Sequence, residues 1–475
     1  MKKKSFICII ALMLTLASYG ERKEIHILSA NDMHANLNAF PQLTAIVDSL
    51  RAIDPYMLVL SAGDNRTGNP YNDMYEIPAY PMVALMNFIG FDASALGNHE
   101  FDSKQKGLAQ LINMSNFPYL CSNIHPDEKW GIHTLPYHIF NVKGLRVAIV
   151  GAVHLSTHGV PDSHPDNMKD ISFSPVKESI AKYEYLRGEN DVMILLSHIG
   201  FEDDVMMAEA FPWFDLIVGG HTHTQLDGGE MHNGVLVTQN GKGLKKVTYT
   251  TLVVEDGKVV EKKAENIDVA SFPHKNKVVE AMVREFNNNP AFERVLAQVT
   301  TPFESKEELG ILMCDAIRDE AKADVAMTNA GGVRFEEFPA GPFTVNDALG
   351  LDPFGNTIVE MKLTGRELAD MLKSCFDNDE KLFPYVSGVK CEVDYEKGNP
   401  QQIKALRVFT PDGKKLNMKK TYTVVTNSFA AVICDAPRKD QGRDIGIKAS
   451  DALISYLERQ GKISYTGARC LKENK

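Results

Sequence analysis

Leu96-Gly97-Asn98-His99-Glu100-Phe101-Asp102 follows a short apolar run, Ala93-Ser94-Ala95, and stands where a strand would end and a helix begin. Gly97 suits a tight backbone bend there. Asn98 offers an amide oxygen to a hard cation, and His99 follows as acid, base or ligand. Taken alone, the stretch reads as an ordinary helix start, with Asn98 as N-cap and Glu100 in the first turn. The surrounding chain decides between the two readings.

Several apolar runs in the first half end in polar clusters. Glu24 to Ala30 leads into Asn31-Asp32-Met33-His34, and Met57 to Leu60 into Ser61-Ala62-Gly63-Asp64. Val147 to Val150 ends at Gly151, Asp191 to Leu196 at Ser197-His198, and Asp215 to Val218 at Gly219-Gly220-His221-Thr222-His223. Between them, Pro41 to Leu50 places Leu43, Ile46, Val47 and Leu50 at helical spacing. Alternating strands and helices predict an α/β architecture, in which ligand sites lie beyond the C-terminal strand ends.

Asp32, His34, Asp64, Asn98, His198, His221 and His223 are too many donors for one tetrahedral ion with an open position. They suit two ions roughly 3.5–4 Å apart sharing a carboxylate, with Asp64 the natural bridge. Asp32 and His34, and likewise His221 and His223, point the same way if their segments are extended. His99 is then left to meet a substrate, with Asp102 three residues on to hold its ring. All fourteen histidines lie at or before His274, so imidazole chemistry belongs to this half. His125, His133, His138, His154, His158, His164 and His232 fall in loop-like stretches and read as surface residues, although His154 and His158 could rim the site.

Met1-Lys2-Lys3-Lys4, the apolar Phe6 to Leu16 and the small-residue run Ala17 to Gly20 read as a secretory signal peptide over residues 1–20. No later run is long enough for a membrane span. Net charge of −11 argues against a nucleic-acid polymer as partner. Six cysteines follow residue 20, with no C-x-x-C pair; they allow about fifteen disulfide connectivities, and none is singled out.

Asn31-Asp32-x-His34, Gly63-Asp64, Gly97-Asn98-His99-Glu100, His198 and Gly220-His221-x-His223 resemble the calcineurin-like metallophosphoesterases, and more closely the secreted 5'-nucleotidase and UDP-sugar hydrolase family. The resemblance implies a four-layer α/β/β/α metallophosphoesterase domain over residues 21–270. A linker helix within 271–298, suited to a hinge, and a smaller mixed α/β substrate-binding domain over 299–475 would follow. It implies two divalent ions (zinc, manganese or iron), one among Asp32, His34, Asp64 and His223, the other among Asp64, Asn98, His198 and His221. His99, paired with Asp102, would stabilise the transferring phosphoryl group or protonate the leaving oxygen, with metal-held hydroxide as nucleophile.

The second half carries further matches. A hairpin with an Asp256-Gly257 turn closes the first domain, and Lys277 to Phe286 forms a helix with Val278, Met282, Val283 and Phe286 in a stripe. Ser305-x-x-Glu308 is a capping box opening a helix with Leu309, Leu312, Ala316 and Ile317 inward. Asn329-Ala330-Gly331-Gly332-Val333-Arg334 and Pro353 to Val359 resemble the family's nucleotide-recognition domain. By that resemblance Asn329, Gly331, Gly332 and Arg334 would meet phosphate or ribose, and Phe383 and Phe429 would sandwich a base, a contact worth about 1–3 kcal/mol. The family's Gly-Gly-Asp-Gly-aromatic run after the second aromatic is replaced by Ala430 to Asp444, and arginines expected near residues 374–377 are missing. Arg438, Lys439 or Arg443 could stand in for them.

The expected function is that of an exported phosphohydrolase, in the periplasm or on the surface of a bacterium, releasing phosphate from nucleotides, foremost 5'-nucleoside monophosphates. The alternatives are a 2',3'-cyclic-nucleotide phosphodiesterase with 3'-nucleotidase activity, a UDP-sugar hydrolase, or a nucleoside-binding surface protein without turnover.

Overall fold

Buried strands with apolar residues on both faces build the first half. The computed structural model describes residues 22–378, 383–396, 399–434 and 436–474; the signal-peptide reading of residues 1–20 lies outside the described residues. One six-stranded sheet runs in the order Lys258–Asp268, Lys246–Glu255, Lys23–Ala30, Leu58–Ser61, Ala93–Ala95, Tyr119–Leu120. The other runs Glu230–His232, Val235–Thr238, Leu216–Val218, Val192–His198, Leu145–Val153, Tyr137–Val142.

The period-two alternation of side chains assigns the layers. Ile25, Ile27, Leu58 and Leu60 of the first sheet meet Val147, Ile149, Ile194 and Leu196 of the second. Leu28, Ala30 and Val59 face outward, under helices Phe40–Arg51, Tyr80–Ile89 and Lys104–Met114. On the far side Ala148, Val150, Met193 and Leu195 lie under Phe201–Ala210. The result is the α/β/β/α sandwich. Truncating an inter-sheet residue such as Ile194 to Ala would cost about 2–5 kcal/mol, because both sheets hold the cavity open.

Parallel pairing brings the functional strand ends to one edge. Ala30 pairs with Ser61, Ser61 with Ser94, and Val153 with His198. The Asp256-Gly257 hairpin forms as expected, with both residues at positive φ (50° and 73°).

Lys277–Phe286 is helical, capped by the Asn276 side chain on the Val278 and Val279 amides. Its apolar stripe is displaced by one residue from expectation. Val279 is buried while Val278 is 57% exposed, so the stripe is 279, 282, 283, 286, the i, i+3, i+4, i+7 face of a helix. Asn276 also ties this helix to the first half, donating from its amide to Pro41 O and from Nδ2 to Asp48 Oδ2.

In the second half a five-stranded sheet runs Pro384–Ser387, Val325–Asn329, Thr421–Asn427, Thr357–Thr364, Arg443–Lys448. Leu309, Leu312, Ala316 and Ile317 of the helix Lys306–Ala321 are buried against it. The capping box is half formed: Ser305 Oγ accepts from the Glu308 amide, but Glu308 Oε2 accepts from Glu304 N–H, one residue upstream of the expected partner. Cys375 and Cys434 form a disulfide, while Cys121, Cys314, Cys391 and Cys470 are buried thiols.

Candidate active site

The motifs meet at the aligned strand ends, but by a different backbone geometry from the extended one expected. Asp32 (φ 46°), His34 (45°), Asp64 (52°), His221 (83°) and His223 (57°) all occupy the left-handed region. Such non-glycine conformations cost of order 1–3 kcal/mol each and persist where the surroundings over-determine them. The surroundings here are backbone bonds between the loops: Asp32 N–H to Gly63 O, His34 N–H to Asp64 O, and Ala35 N–H to Asn65 O.

Gly97 does not serve as a bend. A Cβ there would stand 2.2 Å from Asp64 Oδ1 and 2.5 Å from Asp64 N, so close approach of the two loops requires glycine. Buried Glu100 fastens that approach, accepting from the amides of Asp64, Asn65 and Gly97. The stretch does open a 3₁₀ turn, His99–Ser103, with Asn98 at its N-cap position and Glu100 in its first turn, but the Asn98 side chain makes no cap hydrogen bond. Its Oδ1 instead lies 3.0 Å from His221 Nδ1.

The donors form overlapping groups. Asp32, His34 and His223 lie together, as do His34, Asp64 and His99, and Asp32, Asp64 and His198; each set has its ligand atoms within 4.8 Å of one another. Both Asp64 and Asp32 are shared between groups. His198 Nδ1 bonds Ala62 O, leaving Nε2 buried without a hydrogen-bond partner, 3.2 Å from Asp64 Oδ2 and 3.9 Å from Asp32 Oδ1. His34 Nε2 lies 3.2 Å from His223 Nε2, and His34 Nδ1 contacts Thr67 O. Converging imidazole nitrogens and carboxylates with an orphan buried nitrogen are the donor chemistry of a divalent-cation site.

Electrostatics agree. Burial alone would depress the His198 imidazole, but Asp64 and Asp32 push it up to about 9. Burial also works against the Asp64 carboxylate, yet His198 and His99 hold it well below its usual range. The cluster therefore demands positive charge. Burial and the Arg334 guanidinium keep His34 neutral, well below its ordinary value.

His99 presents its Nδ1 to Asp102 Oδ2 at 2.8 Å, while its own amide donates to Asp64 Oδ1 at 2.8 Å. Opposite stands Arg334 of the second half. Its Nη2 is 3.4 Å from both ring nitrogens of His34, and its guanidinium lies 5.6 Å over Phe354, whose ring stacks on His99 at 5.7 Å.

A cavity of ≈ 310 Å³ is lined by Asp64, Asn98, His99, Asp102, His221 and His223, though not by Asp32, His34 or His198; its size is at the lower end of the range of small-molecule sites. Asn329, Gly331, Gly332, Arg334 and Phe429 line it from the second half. Phe383 is not among the lining residues: it is half-buried, 4.7 Å from the Phe376 ring and 6.2 Å from that of Tyr385. Arg438 donates to Ala431 O and Cys434 O, and Arg443 Nη2 approaches Glu360, so these two hold their own loop and strand.

Sequence reading missed Phe354, Asn356, Asp162 and Ser163 as lining residues and read His164 as surface, while His154 and His158, allowed as rim residues, both line the cavity. The His154 ring stacks on His221 at 4.5 Å. The segment carrying these groups has no periodicity; the pairing of Val153 beside His198 brings it to the site. His125, His138 and His232 belong to short strands, not loops.

A four-layer sandwich gathering oxygen and imidazole donors at its strand ends, with a second α/β domain reaching the same cavity, defines a two-domain phosphoric ester hydrolase. Residues 25–225 match the calcineurin-like phosphoesterases, and residues 294–436 match the 5'-nucleotidase C-terminal domain. The chain belongs to the 5'-nucleotidase family of metallophosphoesterases that joins these two domains. It is 27% identical to a 5'-nucleotidase of Vibrio cholerae, over 93% of this chain and 91% of that protein. It is 24% identical to the trifunctional nucleotide phosphoesterase protein YfkN of Bacillus subtilis, over 92% of this chain but 34% of that longer protein. The fold is that of the 5'-nucleotidase precursor from Thermus thermophilus, with a TM-score of 0.84, 24% identity, and coverage of 95% of this chain and 99% of that one.

Proposed function

We propose that the protein is an exported, dinuclear-metal phosphohydrolase that releases phosphate from nucleotides, with 5'-nucleoside monophosphates as the preferred class. One observation carries this reading: Asp64, Asn98, His221 and His223 of the donor set, the His99–Asp102 pair, and Arg334 and Phe429 of the second half all line one cavity. The names of the Vibrio and Bacillus relatives support nucleotides as the substrate class. Export rests on the basic and apolar N-terminal run. No helix among the described residues is long and apolar enough to cross a membrane.

Asp32, His34, Asp64 and His223 would hold one divalent ion, and Asp64, Asn98, His198 and His221 the other, as zinc, manganese or iron. Bound ions would neutralise phosphoryl charge and make water acidic enough to lose a proton near neutral pH. His99 turns Nδ1 to Asp102, so Nε2 is the nitrogen available to a phosphoryl or leaving oxygen. Arg334 would pair with non-bridging phosphate oxygens, Asn329, Gly331 and Gly332 would line the sugar and phosphate, and Phe429 would offer a face to the base. The working division is a catalytic domain over 21–270, a linker over 271–298 and a substrate domain over 299–475.

Phe383, which does not line the cavity, favours a second reading, a cyclic-nucleotide or 3'-nucleotide esterase with looser base recognition. Phosphate release from AMP, ADP, UDP-glucose, 2',3'-cyclic AMP, 3'-AMP and p-nitrophenyl phosphate, with Mn²⁺ or Zn²⁺ and an EDTA control, separates them. EDTA-sensitive preference for AMP supports the first. Preference for cyclic or 3' substrates selects the second, and metal binding without any turnover removes both.

A further inference from the structure

The segment between Val153 and the 3₁₀ turn Pro165–Met168 is well anchored. Gln105 Nε2 donates to Asp166 O and Lys169 O, and Met168 is buried in the core beneath the first sheet. Two consecutive residues of this segment touch different parts of the site.

Asp162 stands beside the metal-type donors. Its backbone carbonyl accepts from Asn98 Nδ2 at 3.1 Å, which turns Asn98 Oδ1 toward His221. Its carboxylate Oδ2 lies 3.6 Å from His221 Nε2. Ser163 stands behind His99. It is buried, its Oγ donates to Asp102 Oδ1 at 3.0 Å, and it accepts from Asn167 Nδ2 at 3.0 Å. Asp102 thus receives Ser163 on one oxygen and His99 on the other. A carboxylate held at both oxygens cannot rotate about its terminal torsion, so it keeps the imidazole's plane and tautomer.

We propose that Asp162 and Ser163 are positioning residues with divided roles: Asp162 aligns Asn98 and His221 as metal ligands, and Ser163 aligns Asp102 and, through it, His99. The inference rests on the two-metal phosphohydrolase reading. Ligand-orienting partners of this kind typically change metal affinity by about 10–100-fold when removed. A histidine oriented by a carboxylate loses its productive tautomer when that carboxylate swings away.

The test is a double dissociation in the full-length enzyme. Asp162→Ala, which removes the carboxylate facing His221 and keeps the backbone carbonyl facing Asn98, should weaken Mn²⁺ binding, measured calorimetrically, by about 10–100-fold. Ser163→Ala should leave Mn²⁺ affinity unchanged and lower kcat about tenfold at unchanged KM, with Ser163→Thr restoring the rate. In a His99→Ala background, Ser163→Ala should have no further effect, since coupled residues do not act additively. Nitrogen-15 spectra of labelled histidine should show a defined Nδ1–H tautomer for His99 that is lost in Ser163→Ala and kept in Ser163→Thr. This last readout needs no substrate, so it stands or falls separately from the phosphohydrolase reading. Equal metal loss in both variants, an undiminished effect without His99, or an unchanged tautomer would overturn the assignment.

Discussion

Arg334 Nη2 lies 3.4 Å from both ring nitrogens of His34, across 300 residues of sequence. A half-buried guanidinium from the second half is thereby held against a donor of the first. Asp64, Asp102 and Asp32 favour its charge, against the burial that opposes it. Hydrogen bonds to charged groups contribute about 1.5–3 kcal/mol, so Arg334→Ala should lower kcat/KM by about 10–100-fold. Arg334→Lys should recover only part, lacking the planar fork. Steady-state kinetics equal to wild type in Arg334→Ala would remove the phosphate role.

Replacing His99 by Ala should keep the bound metals and lower kcat by roughly 10²–10⁴-fold. Elemental analysis beside kinetics makes the check. A normal rate with a full metal complement rejects its assignment as the acid or phosphoryl-stabilising group.

Asp64 belongs to two of the donor groups, so Asp64→Ala should empty the centre of metal and abolish turnover together. Activity surviving with both ions still bound would sink the two-metal reading.

Asp352 supports a pH-dependent prediction. Burial pushes its carboxyl up from 3.8 to about 7, against a hydrogen bond from the Phe354 amide. Between pH 4 and 7 the folded protein retains a proton that the unfolded chain releases, so this group's contribution to stability falls as pH rises through that window. The shift corresponds to about 4 kcal/mol by linkage. Asp352→Asn, neutral at every pH, should raise Tm relative to wild type at pH 8 and show no gain at pH 4. An equal change at both pH values contradicts the assignment.

The Cys375–Cys434 bridge spans a sequence separation of 59. The chain-entropy account gives about 4 kcal/mol for a loop of that size. Cys375→Ser with Cys434→Ser should therefore lower unfolding stability by about 2–4 kcal/mol in denaturant titrations. Since Phe429 and Ile433 belong to the helix Ser428–Ile433 that ends just before Cys434 and line the cavity, KM should rise as well. Unchanged stability and KM would show the bridge to be incidental.

Much of this was written in local sequence. The inter-sheet core follows from runs such as Val192 to Leu196, where every residue is apolar and every residue is buried. The Asp256-Gly257 turn and the helix over Lys277 to Phe286 are local chemistry and fell where expected. The one-residue error in the linker stripe arose because Val278 and Val279 are equally apolar, and only docking onto Phe40–Arg51 chooses between them.

The sequence by itself determined which residue types stand at which strand ends, because an α/β chain that alternates buried strands with amphipathic helices delivers its polar punctuation to one edge. It did not determine how those residues are held. The left-handed conformations of Asp32, His34, Asp64, His221 and His223 depend on bonds between loops far apart in the chain. Gly97 serves the close passage of two loops, not a bend of its own. Phe383 turns to Phe376 while Phe354 turns to His99, since identical side chains take different neighbours according to strand register and domain docking. Asp162 and Ser163 carry no signature at all. They reach the site because Val153 pairs beside His198, a relationship that exists only once the sheet has formed.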